Sequence, residues 1–416
     1  MQEIAHEAKQ KSAILNNNKS SDEKQFQVDT GSALQQFLDR IPISSISGFQ
    51  SSFGWELKAG DSVKDAIHML YDKDVFGAPI ADVFDPNSTS MKFSYRYIGF
   101  IDFPSMVLWC LEEYENIRKN SADKGREEKR NSGFFSTMDQ IPQIGQTKVS
   151  ELVKLFLWEP FFPIRMDDSL LHALLLLSKH RLHVLPVVQQ SDPQVIGLVT
   201  QNALGQLLLQ STGLEWFDSI ADKALSNLEI ENQEQASYVF GNQTVADALH
   251  LLWKKRTCAV AVLDPQSKKL IGSVRYRDVY HLVENDDLFR NRKTLTVGEF
   301  IHSETDPPIE LDNEASLIAR SLHLKKSFMP RMDSPLTCKK NDTLKQLMQN
   351  MTERNSRFSF LIDDNEGVIG LITMRHIILQ FAPPCVSSSI NGGGFFELAL
   401  EQSGCQVRDG TLVCNH

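Results

Sequence analysis

The chain has 416 residues, of which 41% are hydrophobic and 23% charged, and its formal net charge is -10. This length allows two to four domains of ordinary size, and the composition is typical of a soluble globular protein. The negative charge argues against a nucleic-acid-binding protein, which needs clustered Lys and Arg. No apolar run reaches about 18 residues, so a membrane-spanning helix is not expected.

The first residues of the chain predict neither export nor a packed structure. Residues 1–30 are rich in Lys, Gln, Asn and Ser with few large apolar side chains, so we expect them to be disordered. Met1 to Asn18 lacks the apolar core of a secretory signal. We therefore expect an intracellular protein, in the cytoplasm, the nucleus or both, with its cysteines reduced.

A short amphipathic segment comes next. Residues 32–40 place Leu34, Phe37 and Leu38 on one face of a helix. Pro42 ends this helix, because Pro disfavours helical geometry in the residue before it.

The rest of the chain is organised by one pattern that occurs four times. Each copy opens with a Ser or Thr followed by an aliphatic residue, and closes with Ile-Gly. The distance from the opening hydroxyl to the closing Gly is 37, 28, 28 and 27 residues. A unit this short cannot bury its own apolar face, so the copies must pack on one another. The opening pairs are Ser62-Val63, Ser169-Leu170, Thr244-Val245 and Thr343-Leu344, and the closing pairs are Ile98-Gly99, Ile196-Gly197, Ile271-Gly272 and Ile369-Gly370.

Within each copy the sequence predicts a helix, a short strand, a polar turn, the Ile-Gly strand and a second helix. The opening hydroxyl has the position of a helix N-cap, and Asp65, Asp247 and Gln346 follow three residues later, as in a capping box. The strands are short and apolar, as expected of buried strands. We predict repeats at 43–115, 147–215, 220–286 and 296–382, a linker at 116–146 and a C-terminal tail at 383–416.

Repeats of this form, with a Pro-Val-Val strand and an Ile-Gly-x-hydrophobic-Thr strand, resemble CBS (cystathionine-beta-synthase) domains. The second copy is the most typical, with residues 180–188 and 197–200. Four copies in one chain, preceded by Ile41-Pro42-Ile43-Ser44-Ser45, are similar to the gamma regulatory subunits of the AMP-activated (sucrose-nonfermenting-related) protein kinase family, in particular its plant branch. The resemblance covers about residues 32–382.

This resemblance implies a mixed α/β (α+β) fold, in which four CBS repeats pair into two tandem modules that form a disc. It implies a non-catalytic regulatory subunit that binds a kinase catalytic (alpha) subunit and a beta subunit. Adenosine phosphates bind near the centre of the disc in this family, so AMP, ADP or ATP is the ligand to expect, and no cofactor is required. The segment before the first repeat would contact a partner through Phe37, Leu38, Ile41, Pro42 and Ile43.

The resemblance also implies where a nucleotide would bind. A basic residue before the Pro-Val-Val strand neutralises phosphate, and a carboxylate at the start of the last helix accepts the ribose hydroxyls. The matching residues are His180, Arg181, Thr200, Asp278 and Arg357. Three of them also have a plain structural interpretation: His180 and Arg181 as a solvated turn, and Asp278 as an acid at a helix N-terminus.

The other copies depart from this pattern. The carboxylate position is occupied by Ser105, Ala203 and His376, and Phe76 takes the basic position of the first copy. A neutral Ser or Ala cannot make the two contacts to a diol that an Asp makes. We therefore expect at most one or two chemically complete nucleotide sites.

Two other classes of function are alternatives to a kinase subunit. A free-standing CBS protein could sense an adenosine-containing metabolite and regulate another target. An enzyme is not expected, because the histidines show no H-E-x-x-H spacing and the chain has neither a Gly-x-Ser-x-Gly elbow nor a kinase Gly-rich loop. The same spacing gives no reason to expect a metal site.

Overall fold

The computed structural model describes residues 34–46, 55–81, 97–120, 133–155, 161–180, 182–188, 194–228, 230, 236–303 and 331–382, together with the backbone of 405–408 and 411–414. The prediction for residues 1–30 lies outside these residues, as does Arg181.

Each repeat contains the elements that the pattern predicts, preceded by one further short strand. In repeat 1 they are β1 (Leu57–Lys58), α2 (Val63–Asp72), β2 (Gly77–Ala81), β3 (Tyr97–Asp102) and α3 (Phe103–Asn120). In repeat 2 they are β4 (Ile164–Arg165), α7 (Leu170–Lys179), β5 (Val184–Val188), β6 (Val195–Thr200) and α8 (Gln201–Leu209). In repeat 3 they are β7 (Tyr238–Phe240), α10 (Val245–Lys255), β8 (Ala259–Leu263), β9 (Leu270–Arg275) and α11 (Val279–Glu284). In repeat 4 they are β10 (Thr337–Lys339), α14 (Leu344–Glu353), β11 (Phe358–Ile362), β12 (Val368–Thr373) and α15 (Met374–Gln380).

Additional helices connect the repeats. A helix over residues 34–40, α1, precedes repeat 1. The segment predicted as a linker contains two helices whose apolar side chains Phe134, Met138 and Ile144 are buried in the core. The connecting helices are α4 (Phe134–Gln140), α5 (Pro142–Gly145), α6 (Val149–Leu155), α9 (Glu215–Ala221), α12 (Asp286–Asn291) and α13 (Val297–Ile301).

Every repeat has the same three-stranded sheet. The middle strand pairs in parallel with the short first strand and antiparallel with the Ile-Gly strand. The parallel pair is joined through the opening helix, as a parallel connection requires. The middle strands are almost fully buried, which explains why they show no alternation of polar and apolar residues.

The opening hydroxyls cap their helices, as the sequence predicts. Ser62 accepts the N–H three residues further on at 3.1 Å. Thr244 accepts from Asp247 and Thr343 accepts from Gln346, both at 3.2 Å. In these last two helices the side chain of the third residue also accepts the N–H of the cap, which completes a capping box. Each cap stabilises its helix by about 0.5–2 kcal/mol.

The sheets pack the repeats into two pairs. Repeats 1 and 2 share one apolar cluster, and repeats 3 and 4 share another. Because each sheet buries one face against its partner sheet, a single repeat cannot be stable alone. The paired residues are Tyr97, Phe100, Val188 and Leu198 in the first cluster, and Ala259, Ala261, Phe360 and Leu371 in the second.

The helices then join the two pairs into a closed ring. In repeat 1, α3 packs on α10 and α11 of repeat 3, within one continuous core. In repeat 4, α15 packs on α7 and α8 of repeat 2 within a second core. Ion pairs reinforce the first contact: Glu112 lies 2.9 Å from His250, and Glu115 lies 2.7 Å from Lys293. The paired α/β repeats and their disc-like assembly confirm the predicted fold class.

The segment before repeat 1 packs on repeat 2. Leu38 and Ile43 are buried in the core that repeats 2 and 4 share. The Ile43 N–H donates to the carbonyl of Asp168 at 2.9 Å, and the Leu170 N–H donates to the carbonyl of Ile41 at 2.8 Å. This segment is therefore hydrogen-bonded to the start of α7 in repeat 2, although repeat 1 lies between the two in the sequence.

The tail contributes a hairpin of β13 (Cys405–Arg408) and β14 (Thr411–Cys414), which pair antiparallel. In the part of the chain that the structure describes, no helix has both the length and the apolar character needed to cross a bilayer.

Candidate anion-binding site

The strand register identifies equivalent positions in the four repeats. The first residue of each middle strand pairs with the last residue of the Ile-Gly strand. Two sets of equivalent residues follow, and they lie at the end of the sheet where the last helix begins. The residues before the middle strands are Phe76, His183, Cys258 and Arg357, and the residues that end the Ile-Gly strands are Asp102, Thr200, Arg275 and Thr373.

In repeat 2 the register places His183 at the basic position, where the sequence pattern favoured His180 and Arg181. His180 follows the end of α7, and burial lowers its pKa. Arg181 lies outside the described residues. The difference of three residues arises because the pairing of Val184 with Thr200 determines where the strand begins.

Thr200 has a structural role in repeat 2. Its hydroxyl accepts the N–H of Ala203 at 3.2 Å and so caps α8. The side chain is buried. Thr373 and His376 make a related contact in repeat 4, where the Thr373 N–H donates to Nδ1 of the buried His376 at 3.1 Å.

Asp278, the predicted ribose-binding carboxylate, is paired with an arginine of its own repeat. Its Oδ1 accepts from Nη2 of Arg275 at 2.7 Å and from Nε at 2.9 Å. Its Oδ2 accepts the backbone N–H of Arg275, also at 2.7 Å. The Asp278 side chain is 0% exposed and that of Arg275 is 9% exposed. The carboxylate is therefore engaged inside the protein.

Arg357 lies where residues of repeats 1, 3 and 4 meet. Its Nη1 donates to the hydroxyl of Tyr276 at 3.1 Å. Its guanidinium lies 4.8 Å from the ring centroid of Phe76, and that of Arg277 lies 5.0 Å from the same ring. Phe76, which occupies the basic position of repeat 1, thus contacts two cations through its aromatic face.

The centre of the ring carries closely spaced positive charges. Burial and the neighbouring Arg357 lower the pKa of Arg277 to about 9. His183 is exposed to solvent and has Arg357 and Arg375 as charged neighbours. The surrounding protein atoms, together with Arg357 and Arg375, lower its pKa to about 4, so the imidazole is neutral at pH 7. Like charges held this close favour the binding of an anion between them.

Asp102 is a further residue of this centre, and the sequence pattern did not identify it. It is buried at the end of β3, where it accepts the N–H of Ser105 at 2.7 Å and the Ser105 hydroxyl at 2.9 Å. Burial raises its pKa to about 6, against the opposing effect of these hydrogen bonds and of Arg357 and Arg277. In repeat 1 the acid therefore ends the Ile-Gly strand. In repeat 3 the acid, Asp278, lies three residues further along, at the position that Ser105 takes in repeat 1. An Asp ending an apolar strand was the signal available in the sequence.

Asp102 predicts a pH dependence of stability. Its folded pKa is about 6, above the ordinary value of 3.8, so between these values the folded chain binds more protons than the unfolded chain. Stability is then lost as pH rises through this window. We expect Asp102→Asn to become more stable relative to the wild type between pH 4 and 6.5, by up to about 3 kcal/mol. Urea denaturation at each pH measures this difference.

The control for this prediction is Asp264→Asn. Hydrogen bonds from Ser267 lower the pKa of Asp264, so this variant loses stability relative to the wild type as pH rises, the opposite sign. A flat difference between Asp102→Asn and the wild type would show that Asp102 does not titrate in this range.

Two adjoining open pockets lie between repeats 3 and 4. One is lined by Cys258, Tyr276, Asn355 and the central arginines. The other lies beside Ser273, Arg331 and Arg354. Within the described residues, no group of His, Cys, Asp and Glu side chains is arranged to hold a metal ion. The arrangement is suited to binding an anionic ligand.

The five residues predicted to bind a partner are partly used within the chain. Leu38 and Ile43 are buried, and Phe37 packs on Trp216 with 5.2 Å between ring centroids. Ile41 and Pro42 are partly exposed. The outward face of this segment is polar.

Comparisons with known proteins agree with this architecture. Residues 149–206 and 326–382 match the family model of the CBS domain. The SNF1-related protein kinase regulatory subunit gamma-1 of Arabidopsis thaliana is 26% identical over 381 residues, which are 86% of this chain and 86% of the relative. The related gamma-1-like subunit of the same plant is 24% identical over 405 residues, 83% of this chain and 86% of the relative.

More distant relatives include the 5'-AMP-activated protein kinase subunit gamma-3 of Homo sapiens, 22% identical over 59% of this chain and 45% of that protein. Among solved structures, a Methanocaldococcus jannaschii protein described as a candidate archaeal homolog of g-AMPK has a TM-score of 0.52 at 14% identity. It covers 82% of this chain and 100% of its own, and so supports the fold. The chain thus contains two segments that match the CBS-domain model, and it is similar over most of its length to the regulatory gamma subunits of SNF1-related protein kinases.

Proposed function

We propose that this chain is a non-catalytic, gamma-like regulatory subunit of an SNF1-related or AMP-activated type of protein kinase complex. The observation that supports this most strongly is the similarity to the Arabidopsis gamma-1 subunit, which extends over 86% of both chains. The closed ring of four repeats also suits a subunit that presents one rigid surface to its partners. These partners would be a kinase catalytic (alpha) subunit and a beta subunit.

The regulatory input of this subunit would be a phosphate-bearing ligand at the centre of the ring. Arg277, Arg357 and Arg375 supply positive charge there, and guanidinium groups recognise phosphate through paired hydrogen bonds. These three arginines belong to repeats 3 and 4, and Phe76 of repeat 1 lies against two of them, so a bound anion would lie beside the contact between the two repeat pairs. Ligand binding would thereby stabilise one arrangement of the ring over others.

Co-expression with the catalytic and beta subunits of the Arabidopsis kinase tests the partner assignment. We expect the three chains to elute together in size-exclusion chromatography, with the catalytic activity residing in the catalytic subunit alone. Failure of the folded chain to enter a complex with these subunits, under conditions where the Arabidopsis gamma-1 subunit does so, would contradict the proposal.

The outward face of α1 is the first place to look for the partner contact. Asp39 and Arg40 are exposed there, whereas Leu38 is buried. We expect the charge reversal Asp39→Lys with Arg40→Glu to weaken complex formation about tenfold without changing the melting temperature. Leu38→Ala is the control for a structural effect, because it should lower the melting temperature. An unchanged affinity in the charge-reversed variant would place the contact elsewhere.

A free-standing sensor that regulates another target is the second candidate. The cleft between repeats 3 and 4 favours it, since a ligand could bind there without any kinase subunit. A chain that binds its ligand but never associates with the catalytic and beta subunits would support this alternative.

A further inference from the structure

The hairpin of β13 and β14, here called the tail hairpin, places two cysteines directly opposite each other. Its strands pair antiparallel, and their register sets Cys405 against Cys414 at the end away from the connection. Only Asp409 and Gly410 stand between the strands in the sequence, and this dipeptide is typical of tight hairpin turns. The sequence and the backbone register therefore agree on the same pairing.

The register also determines what kind of pair the two cysteines form. Opposite residues of an antiparallel ladder alternate between hydrogen-bonded and non-hydrogen-bonded pairs. A two-residue turn is closed by a hydrogen bond between the residues that flank it, and these are Arg408 and Thr411. The cysteines form the third pair beyond them. The alternation therefore makes the cysteines a non-hydrogen-bonded pair.

A pair of this kind has the spacing that a disulfide needs. The Cα atoms of a non-hydrogen-bonded pair lie about 4.5 Å apart, and its Cβ atoms are closer than those of a hydrogen-bonded pair. A disulfide requires Cα atoms about 4.4 to 6.8 Å apart and Cβ atoms within about 4.5 Å. Cys405 and Cys414 can therefore be joined with little movement of the backbone of either strand.

The described cysteines of the repeats are not placed for this chemistry. Cys110 and Cys338 are buried, and burial raises the pKa of both thiols, that of Cys338 to about 11. The thiolate is the form that attacks a disulfide, so a raised pKa slows the reaction. Cys258 is partly buried and, like the other two, lies in a repeat of its own.

We propose that Cys405 and Cys414 form a reversible disulfide that closes the tail hairpin. The oxidant class is a small disulfide, for which glutathione disulfide is the probe. One cysteine thiolate attacks a sulfur of the oxidant, whose S–S bond breaks to release one glutathione thiolate. The second cysteine thiolate then attacks the mixed disulfide and releases the other glutathione thiolate. The two protons that the cysteines lose are taken up by the two glutathiones, so the protein thiols are oxidised and the oxidant is reduced.

The bond makes the tail responsive to redox conditions. A two-stranded hairpin is only marginally stable in water by itself. A cross-link between residues 405 and 414 favours the closed hairpin by about a hundredfold, because it removes the most extended states of the open chain. Reducing compartments keep such a pair as thiols until disulfide oxidants accumulate. The inference is independent of the kinase assignment.

Tryptic mass spectrometry of the purified full chain, after incubation in glutathione buffers and blocking of free thiols with iodoacetamide, tests the proposal. Trypsin cleaves after Arg408, so a disulfide would hold the peptides 376–408 and 409–416 together until a reductant is added. We expect this linkage at a glutathione disulfide concentration at least about tenfold lower than any other disulfide of the chain. No linkage in excess glutathione disulfide, or cysteines that carry only glutathione, would overturn the proposal.

Serine variants assign the linkage to the two cysteines. Cys405→Ser and Cys414→Ser should each abolish it. Cys385→Ser is the matched control, because Cys385 is the other cysteine of the peptide 376–408, and this variant should leave the linkage unchanged. Loss of the linkage in Cys385→Ser would show a different pairing and would overturn the proposal.

The double variant Cys414→Ser with Val413→Cys tests the register. It moves the cysteine by one residue, to the position opposite Gln406 and on the other face of the strand. We expect its linkage to Cys405 to form at least about tenfold more slowly, because the two residues no longer share a face. Equal rates would show that the thiols meet through random motion of the tail, which would contradict the proposal.

Amide hydrogen exchange measures the effect of the bond on the hairpin. The alternation makes Gln406 and Val413 a hydrogen-bonded pair. We expect their amides to exchange up to about a hundredfold more slowly in the oxidised chain than in the reduced chain. Equal exchange in the two states would overturn the inference that the disulfide closes the hairpin.

Discussion

Asp278→Ala is expected to lower the free energy of unfolding by about 3–5 kcal/mol, because the buried charge of Arg275 then loses its carboxylate. Four hydrogen bonds of 2.7 to 3.1 Å join the two residues, and both side chains are nearly inaccessible to solvent. Urea denaturation followed by tryptophan fluorescence measures the loss. A carboxylate that served only a ligand would show little effect on the ligand-free chain.

The matched control for this experiment is Asp247→Ala. Asp247 lies three residues after its partner Thr244, just as Asp278 lies three residues after Arg275. Asp247, however, is solvent-exposed, and its partner is neutral. Its loss should cost about 0.5–2 kcal/mol, the value of a helix cap. Equal costs for the two variants would mean that the Arg275–Asp278 pair adds no stability beyond that of a cap.

Phe360→Ala should have a comparable effect on stability, about 3–5 kcal/mol, since it removes a fully buried ring from the contact between two sheets. Phe360 lies in the cluster that joins repeats 3 and 4, against Ala259 and Ala261. These small neighbours cannot move far enough to fill the space.

Phe240→Ala is the control for this variant. It removes the same ring from the edge of the same cluster, where Phe240 is only partly buried. Its cost should be clearly smaller, since less apolar area returns to water. If both variants lose the same stability, the contact between the sheets is not centred on Phe360.

Much of this architecture was predictable because its signals are local. A helix cap depends on residues three apart, so Thr244 and Thr343 could be identified from spacing alone, and the structure confirms both capping boxes. The strands likewise follow from short apolar runs between turns. The four repeats are therefore recovered from the sequence pattern, whereas their pairing was implied by the resemblance to CBS domains.

The candidate site was harder to predict, because its members are defined by contacts between distant segments. His183 became the equivalent of Arg357 only once the strand register was known. Asp102 was missed since its acid lies three residues before the expected position. Arg275 belongs to no distinctive sequence motif, so nothing in the sequence indicated that its side chain would pair with Asp278.

The amino-acid sequence thus determined the repeat, its caps and its strands, since these depend on neighbours within a few residues. The tertiary structure decided which helices meet, namely those of repeats 1 and 3 and those of repeats 2 and 4. It also decided that Arg275 pairs with Asp278, the carboxylate that the resemblance assigned to a ribose. The physical reason is that charge interactions act through space, so their balance at a site depends on packing and cannot be derived from the spacing of residues along the chain.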